Sequence, residues 1–275
     1  MILALESSAR PASVAICSDA VLLGQYFQNS GLTHSRTLLA MAESLLRNLD
    51  LNTTDIDLVA VSKGPGSFTG VRLGVSAAKG LAWGIDKPVC GVSTLEAMAY
   101  QATGMIAHQT PGPMVYQAPG PDALLCPVMD ARRSQVYNAM FEWHDGALAR
   151  LCDDRAISLE DLSADLAARQ TAYDPARIAS AVSVPDSSSR NSFPVPASTA
   201  PIYLVGDGTA IVHEHLSSIG VNHMVAHSLL RWQTAYGVAL AAATSMHIPA
   251  AELEPSYLRP SQAERVRSEL LTPNS

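Results

Sequence analysis

Apolar residues in the first hundred positions fall into short runs, then into a three-and-four repeat, then into runs again. MILALE (1–6), ASVAIC (12–17) and VLLGQYF (21–27) are separated by turn residues, which predicts three strands in an antiparallel meander. In THSRTLLAMAESLLRNLDL (33–51), Leu38, Ala42, Leu45 and Leu49 share one face, with Leu39 and Leu46 beside them. That spacing predicts an amphipathic helix, with Thr33 placed as its N-cap. DLVAVSK (57–63) reads as a buried strand, followed by a glycine-rich loop, a helix over about 69–84, the strand PVCGV (88–92) and a helix from Thr94 to near Gln101.

Residues 103–122 are rich in Pro, Gly and Gln and read as a flexible insertion. The pattern then resumes. ALLCPVMDA (123–131) and SQVYNAMFEWH (134–144) predict a strand pair across a turn at Arg132 and Arg133, and residues 148–153 a third strand. Residues 158–169 predict a helix with Ser158 as N-cap and Asp161 at the third helical position, a variant of the capping box. The Ser/Pro-rich stretch 183–200 is expected to be disordered. PIYLVGDG (201–208) reads as a strand ending in a tight turn, followed by a helix, a short strand near 221–226 and a long helix over 228–245.

The two halves repeat one order: a meander, a helix, then alternating strands and helices. This predicts an α/β protein with the actin-like ATPase (ASKHA) fold, two similar lobes with mixed sheets. The expected divisions are an N-terminal lobe (1–102), the insertion (103–122), a C-terminal lobe (123–249) and a tail (250–275).

Charge narrows the choice of partners. Lys and Arg number 18 against 25 Asp and Glu, a net charge of −7, which disfavours a phosphate backbone as a direct ligand. The nearest approach to a basic cluster is Arg259, Arg265 and Arg267 in the tail. No run of eighteen uncharged apolar residues predicts a membrane span, and the first residues read as a strand and not as a leader, so a cytoplasmic location is expected. Cys17, Cys90, Cys126 and Cys152 are well separated in sequence and read as core thiols.

The candidate chemistry centres on KGPGSFTGVRLG (63–74). A phosphate-binding Walker loop requires GxxxxGK[ST], and the lysine is missing. A dinucleotide GxGxxG would need a glycine where Thr69 stands. A looser anion site remains open at the helix N-terminus, through Gly66, Ser67 and Thr69. The other reading is close packing. Gly70, Gly74, Ala78 and Ala82 recur every fourth residue, with Ala77, Gly80 and Gly84 widening the small face. A helical glycine costs about 1 kcal/mol relative to alanine, and close approach of another helix, internal or from another subunit, would offset it.

Other candidates are weaker. His223 and His227 would share a helix face, but their segment reads as extended, which separates them by roughly 13 Å. His213 and His215 read as ordinary side chains, so no metal site is expected. Glu6, Asp130 and Asp207 end strands, where α/β folds face ligands, although strand-end caps explain them equally. Ser67 does not lie in a GxSxG elbow, and no catalytic residues are assigned.

LALESS (3–8), GPGSFTGVRLGVSAAKGLA (64–82), GVSTLEAMA (91–99), DARRSQVY (130–137) and EPSYLRP (254–260) together resemble the TsaB (YeaZ) family. The resemblance implies a non-catalytic subunit of the machinery that makes N6-threonylcarbamoyladenosine in tRNAs reading ANN codons. It implies pairing with the catalytic paralogue TsaD, a further partner TsaE, a homodimer when alone, tRNA contacted only indirectly, and ATP or ADP at the subunit interface. Where TsaD has two metal-binding histidines after its own GPG loop, this chain has Thr94 and Met98. The helices at about 33–49 and 69–84 would form the partner interface, through Leu38, Ala42, Leu45, Gly70, Val71, Gly74, Val75 and Ala78. The alternative is an independent metallopeptidase, or an ATP-dependent phosphotransferase of the same fold using GDG at 206–208. The tail after the YLR motif has mixed charge, which weakens any tail contact to tRNA.

Overall fold

The computed structural model describes residues 1–107, 123–144, 147–172 and 202–259. The expected insertion beyond Ala107, the Ser/Pro-rich stretch 183–200, Arg265 and Arg267 lie outside them.

The N-terminal sheet contains β1 (Ile2–Glu6), β2 (Ala12–Ser18), β3 (Val21–Gln28), β4 (Leu58–Ser62) and β5 (Val89–Val92), in the order β3-β2-β1-β4-β5. The first three form the expected antiparallel meander, and β4 and β5 add in parallel. Side chains alternate in size along these strands. Leu3, Leu5, Val14, Ile16, Val59 and Val61 point to one face, where α1 (His34–Asn48) and α2 (Phe68–Gly84) cover them. Ala4, Ala15, Cys17, Ala60 and Cys90 point to the other, because successive strand residues face opposite sides. This smoother face accepts α6 (Ala235–Ala242), whose sequence AYGVALAA is nearly as small.

That helix corrects the expected long helix over 228–245. The chain forms a short 3-10 turn at Ser228–Leu230 and then starts α6 only after Thr234. Gln101 fixes the start: its Oε1 accepts from the Thr234 amide at 3.0 Å and the Thr234 hydroxyl at 3.1 Å. Gln101 sits within α3 (Thr94–Ala107), which runs past the end expected for it. Thr33 holds the N-cap position of α1 with extended backbone, but its side chain makes no cap. Its carbonyl instead accepts from the Thr37 hydroxyl at 3.4 Å.

The second lobe repeats the first. Its strands are β6 (Ala123–Asp130), β7 (Gln135–Asn138), β8 (Phe141–His144), β9 (Ala147–Arg150), β10 (Arg155–Ser158), β11 (Ile202–Val205) and β12 (Met224–Val225); five follow the order β10-β7-β6-β11-β12, while β8 pairs with β6 and β9 with β8 off that path. As in the first lobe, three antiparallel strands are followed by two parallel ones. The helices are α4 (Leu159–Ala172) and α5 (Thr209–Ser218). The expected single strand over 134–144 is split into β7 and β8, which pair with β6 in one register, Val128 opposite Asn138 and Leu125 opposite Phe141.

The break lies opposite Cys126 and Pro127, and a proline has no amide to donate to the ladder. Asn138, fully buried, patches the gap. Its Nδ2 donates to the Pro127 carbonyl at 3.1 Å and the Ala139 carbonyl at 2.9 Å. Its Oδ1 accepts from Arg155. The predicted cap of α4 is present: the Ser158 hydroxyl accepts from the Asp161 amide at 3.0 Å and donates to its carboxylate at 2.8 Å.

The lobes exchange helices. α3 follows the first sheet but sends Leu95, Met98, Ala99 and Ala102 into a cluster with Leu125, Phe141 and Tyr203 of the second. α6 comes late in the chain and packs on the first sheet. Among the described residues, no helix is long and apolar enough to cross a membrane.

Candidate functional site

The glycine-rich loop is built around contacts with distant parts of its own chain. Gly64 adopts φ +116°, and a Cβ there would overlap the Ser256 carbonyl oxygen. Glycine alone tolerates both conditions. The Gly64–Pro65 peptide is cis. The Ser256 amide donates to the Lys63 carbonyl at 2.6 Å, and the Thr94 amide to the Gly64 carbonyl at 2.9 Å.

The EPSYLRP segment thus has a structural job as a strap. Tyr257 stacks on Phe68, the first residue of α2, with ring centroids 4.6 Å apart. Lys79 Nζ donates to the carbonyls of Ala251 and Leu253 at 3.0 Å each. Arg259 reaches the second lobe, where Nη1 donates to the Ala131 carbonyl at 2.7 Å.

The small face of α2 is used within the monomer. A Cβ on Gly70 would overlap the Ser7 carbonyl oxygen, and one on Gly74 the Ser7 hydroxyl. The Ser7 hydroxyl donates to the Gly70 carbonyl at 2.9 Å. The expected interface residues Leu38, Ala42, Leu45, Gly70, Val71, Gly74, Val75 and Ala78 are all buried in the first lobe. This corrects their assignment to a partner surface, because the chain's own sheet already covers them.

What α1 and α2 present outward is a different set. Leu39 is 48% exposed and Trp83 84%. A Cβ on Gly80 or Gly84 would meet nothing within 4 Å. The helical cost of Gly80 is therefore not offset inside the monomer.

The anion reading of Gly66, Ser67 and Thr69 loses donors to internal bonds. The Ser67 amide donates to the Ser8 carbonyl at 2.6 Å, and the Ser67 hydroxyl accepts from the Gly70 amide at 3.4 Å as the N-cap. A Cβ on Gly66 would overlap the Ser8 carbonyl, so this loop and the β1–β2 turn are pressed together.

Of the three strand-end acids, the structure brings Asp130 and Asp207 near each other. Glu6 and Asp130 end β1 and β6, the matching strands of the two lobes. Glu6 is buried, accepts from the Ser8 amide at 2.6 Å, and has its other oxygen unpartnered. Burial raises its pKa, opposed in part by the neighbouring polar groups of Ser8 and Ser62. Asp130 is exposed and accepts from the Arg132 amide at 2.7 Å, in a turn where Arg132, Arg133 and Ser134 all have positive φ. Asp207 lies near Asp130. Burial, with the Asp130 charge adding to it, pushes the Asp207 carboxyl up to about 6.

Thr94 and Met98 are buried at 0% and 1%, one turn apart on α3. The Thr94 hydroxyl has no partner and Met98 packs in the apolar cluster of the second lobe. A hydroxyl and a thioether do not make a donor set for a hard or borderline cation, so these residues do not fit a metal ion. Among the described residues no group of three or more His, Cys, Asp or Glu converges. Burial raises the Cys126 thiol to about 12 and those of Cys17 and Cys90 to about 11, as expected of inert core thiols. Sequence reasoning missed one pairing: His213 of α5 and His223, just before β12, are hydrogen-bonded across ten residues.

The duplicated sheet order, three antiparallel strands followed by two parallel ones in each half, defines a two-lobed protein with the actin-like ATPase fold. A family model described as TsaD, tRNA N6-adenosine threonylcarbamoyltransferase, matches residues 28–265. The chain belongs to this family, on its TsaB (YeaZ) side. A Bacillus subtilis tRNA threonylcarbamoyladenosine biosynthesis protein TsaB is 32% identical over 163 residues, 58% of this chain and 63% of that protein. The Escherichia coli TsaB is 40% identical over 101 residues, 37% of this chain and 43% of its own length. The chain thus spans less than two thirds of these relatives in the matched regions. YeaZ from Pseudomonas aeruginosa superposes with a TM-score of 0.63 at 21% identity, covering 94% of this chain and 99% of that one; it shares the fold.

Proposed function

We propose that this chain is a non-catalytic subunit in the synthesis of threonylcarbamoyladenosine in tRNA, binding and activating a tRNA N6-adenosine threonylcarbamoyltransferase. The observation that carries the reading is the pairing of a family match over residues 28–265 with a donor set, Thr94 and Met98, unsuited to metal. Chemistry is assigned to the partner, and this chain supplies a rigid two-lobed body.

The docking face is assigned to the outward sides of α1 and α2, in place of the buried residues first expected. Leu39, Gly80, Trp83 and Gly84 provide exposed apolar area beside positions with no side chain. Small residues let two helix axes approach at or below the usual 8–10 Å. TsaE is taken as a further partner, and any ATP or ADP as bound with residues of the partner, because the Ser7 hydroxyl and the Ser8 carbonyl of the β1–β2 turn are engaged by the start of α2.

The test is reconstitution of tRNA modification from the purified transferase with and without this chain. Modification should depend on the chain and should fall with Gly80→Arg. Full modification without the chain, or robust turnover by the chain alone, would remove the reading.

A further inference from the structure

We propose that the outer edge of β3 is a self-pairing interface, through which two copies of this chain join antiparallel and merge their five-stranded sheets into one. β3 ends its sheet, and no described strand pairs with its outer side. Its sequence VLLGQYFQ has neither a charge nor a proline, and the uncharged run extends from Ala20 to Thr33. Along it Val21 is 54% exposed, Leu23 41% and Phe27 43%, and Leu22 and Leu32 are exposed as well.

The other sheet edges are treated differently. At β5, on the far side of the same sheet, Val89 exchanges two backbone hydrogen bonds with Ile248, at 2.9 and 2.8 Å, and Pro88 precedes the strand. In the second lobe β9 and β10 are four residues each and carry Arg150 and Arg155, and β12 is two residues long. Proteins shorten, charge or cover their edges in these ways because a free row of amides and carbonyls recruits another strand. β3 has one such device, a bulge between Leu22 and Gly24, and residues 24–28 beyond it pair with β2 in regular register.

Symmetry and charge select a second copy as the occupant. An antiparallel edge is its own complement, since a two-fold axis sets the same amides and carbonyls against each other. Two chains of net charge −7 repel over most of their surface, whereas nothing from Ala20 to Thr33 carries charge. Leu22, Gln25 and Phe27 lie opposite Cys17, Ala15 and Ser13 of β2, so they share the sheet face on which α6 packs. With the axis at Gln25, Phe27 of each copy meets the bulged Leu22 and Leu23 of the other. Such cross-strand apolar pairs stabilise antiparallel sheets. α2 packs on β4, three strands from this edge, so its outward face stays free and the inference does not rest on the transferase reading.

Sedimentation velocity of the full chain from about 1 to 100 μM tests it. The parent should pass reversibly from monomer to dimer. Leu23→Lys and Phe27→Lys, at exposed positions, set like charges close across the axis and should each weaken the dimer at least tenfold without changing the monomer's circular dichroism. Gly80→Arg should dimerise as the parent does. Hydrogen exchange of the parent should slow at β3 amides as concentration rises, which tests the interface even where a lysine variant fails to fold. A parent that stays monomeric, a dimer unchanged by both lysine variants, or β3 amides that exchange equally in monomer and dimer would overturn the interface.

Discussion

The ring of Tyr257 stacks on that of Phe68, 4.6 Å between centroids and 29° apart in plane. The pair joins the strap near the end of the described chain to the first residue of α2. It explains why two separated motifs occur together in this sequence: GPGSFTG supplies the loop and helix start, and EPSYLRP closes over them. Aromatic pairs contribute about 0.5–1.5 kcal/mol beyond their buried area. Tyr257→Ala should lower stability by about 1–2 kcal/mol. In urea denaturation, a double-mutant cycle with Phe68→Ala should return a coupling of about 1 kcal/mol.

Gly74 and Gly80 look alike in the sequence and differ in the fold. Gly74→Ala pushes a methyl group into the Ser7 hydroxyl and should cost about 1–3 kcal/mol, as overpacking does. Combining it with Ser7→Gly should recover part of the loss. Gly80→Ala meets open space and should stabilise the isolated chain by up to about 1 kcal/mol. Thermal melts of the isolated variants check both signs.

Asp207 sets a pH dependence. Its folded pKa of about 6 exceeds the ordinary 3.8, so between those values the folded state binds more protons than the unfolded one. Stability then falls as pH rises through that window and levels off above it. The full shift corresponds to at most about 3 kcal/mol, and Glu6, raised in the same direction, steepens the fall. Denaturation midpoints of the parent and Asp207→Asn should diverge from pH 4 to pH 7, with the variant showing the shallower decline.

Asn138 is the group whose loss should cost most in the second lobe. Asn138→Ala strands the Pro127 and Ala139 carbonyls and removes the acceptor of Arg155. Buried unpaired groups cost about 1–3 kcal/mol each, so a loss of about 3 kcal/mol is expected in urea denaturation.

The first lobe was largely legible because its periods are clean: alternation in β1, β2 and β4, and the three-and-four repeat in α1. The second was less so, for local reasons. Pro127 splits β7 from β8, and Gln101, more than a hundred residues earlier in the chain, decides where α6 begins. The strand-end positions of Glu6, Asp130 and Asp207 could be read from sequence, but the closeness of Asp130 to Asp207 could not. The small stripe of α2 was read correctly as a close-packing face. Its partner was not, because sequence alone does not say that Ser7 lies beneath Gly70 and Gly74. His213 and His223 were missed because no helical or strand spacing joins residues brought together by tertiary packing.

The central claim is that the outward faces of α1 and α2 dock on the transferase. The direct test is the dissociation constant between this chain and the transferase of the same organism, for the parent, Gly80→Arg and Trp83→Glu. The proposal predicts a complex with the parent, weakened at least tenfold in both variants while their melting temperatures stay near the parent's. Equal binding by all three would contradict it.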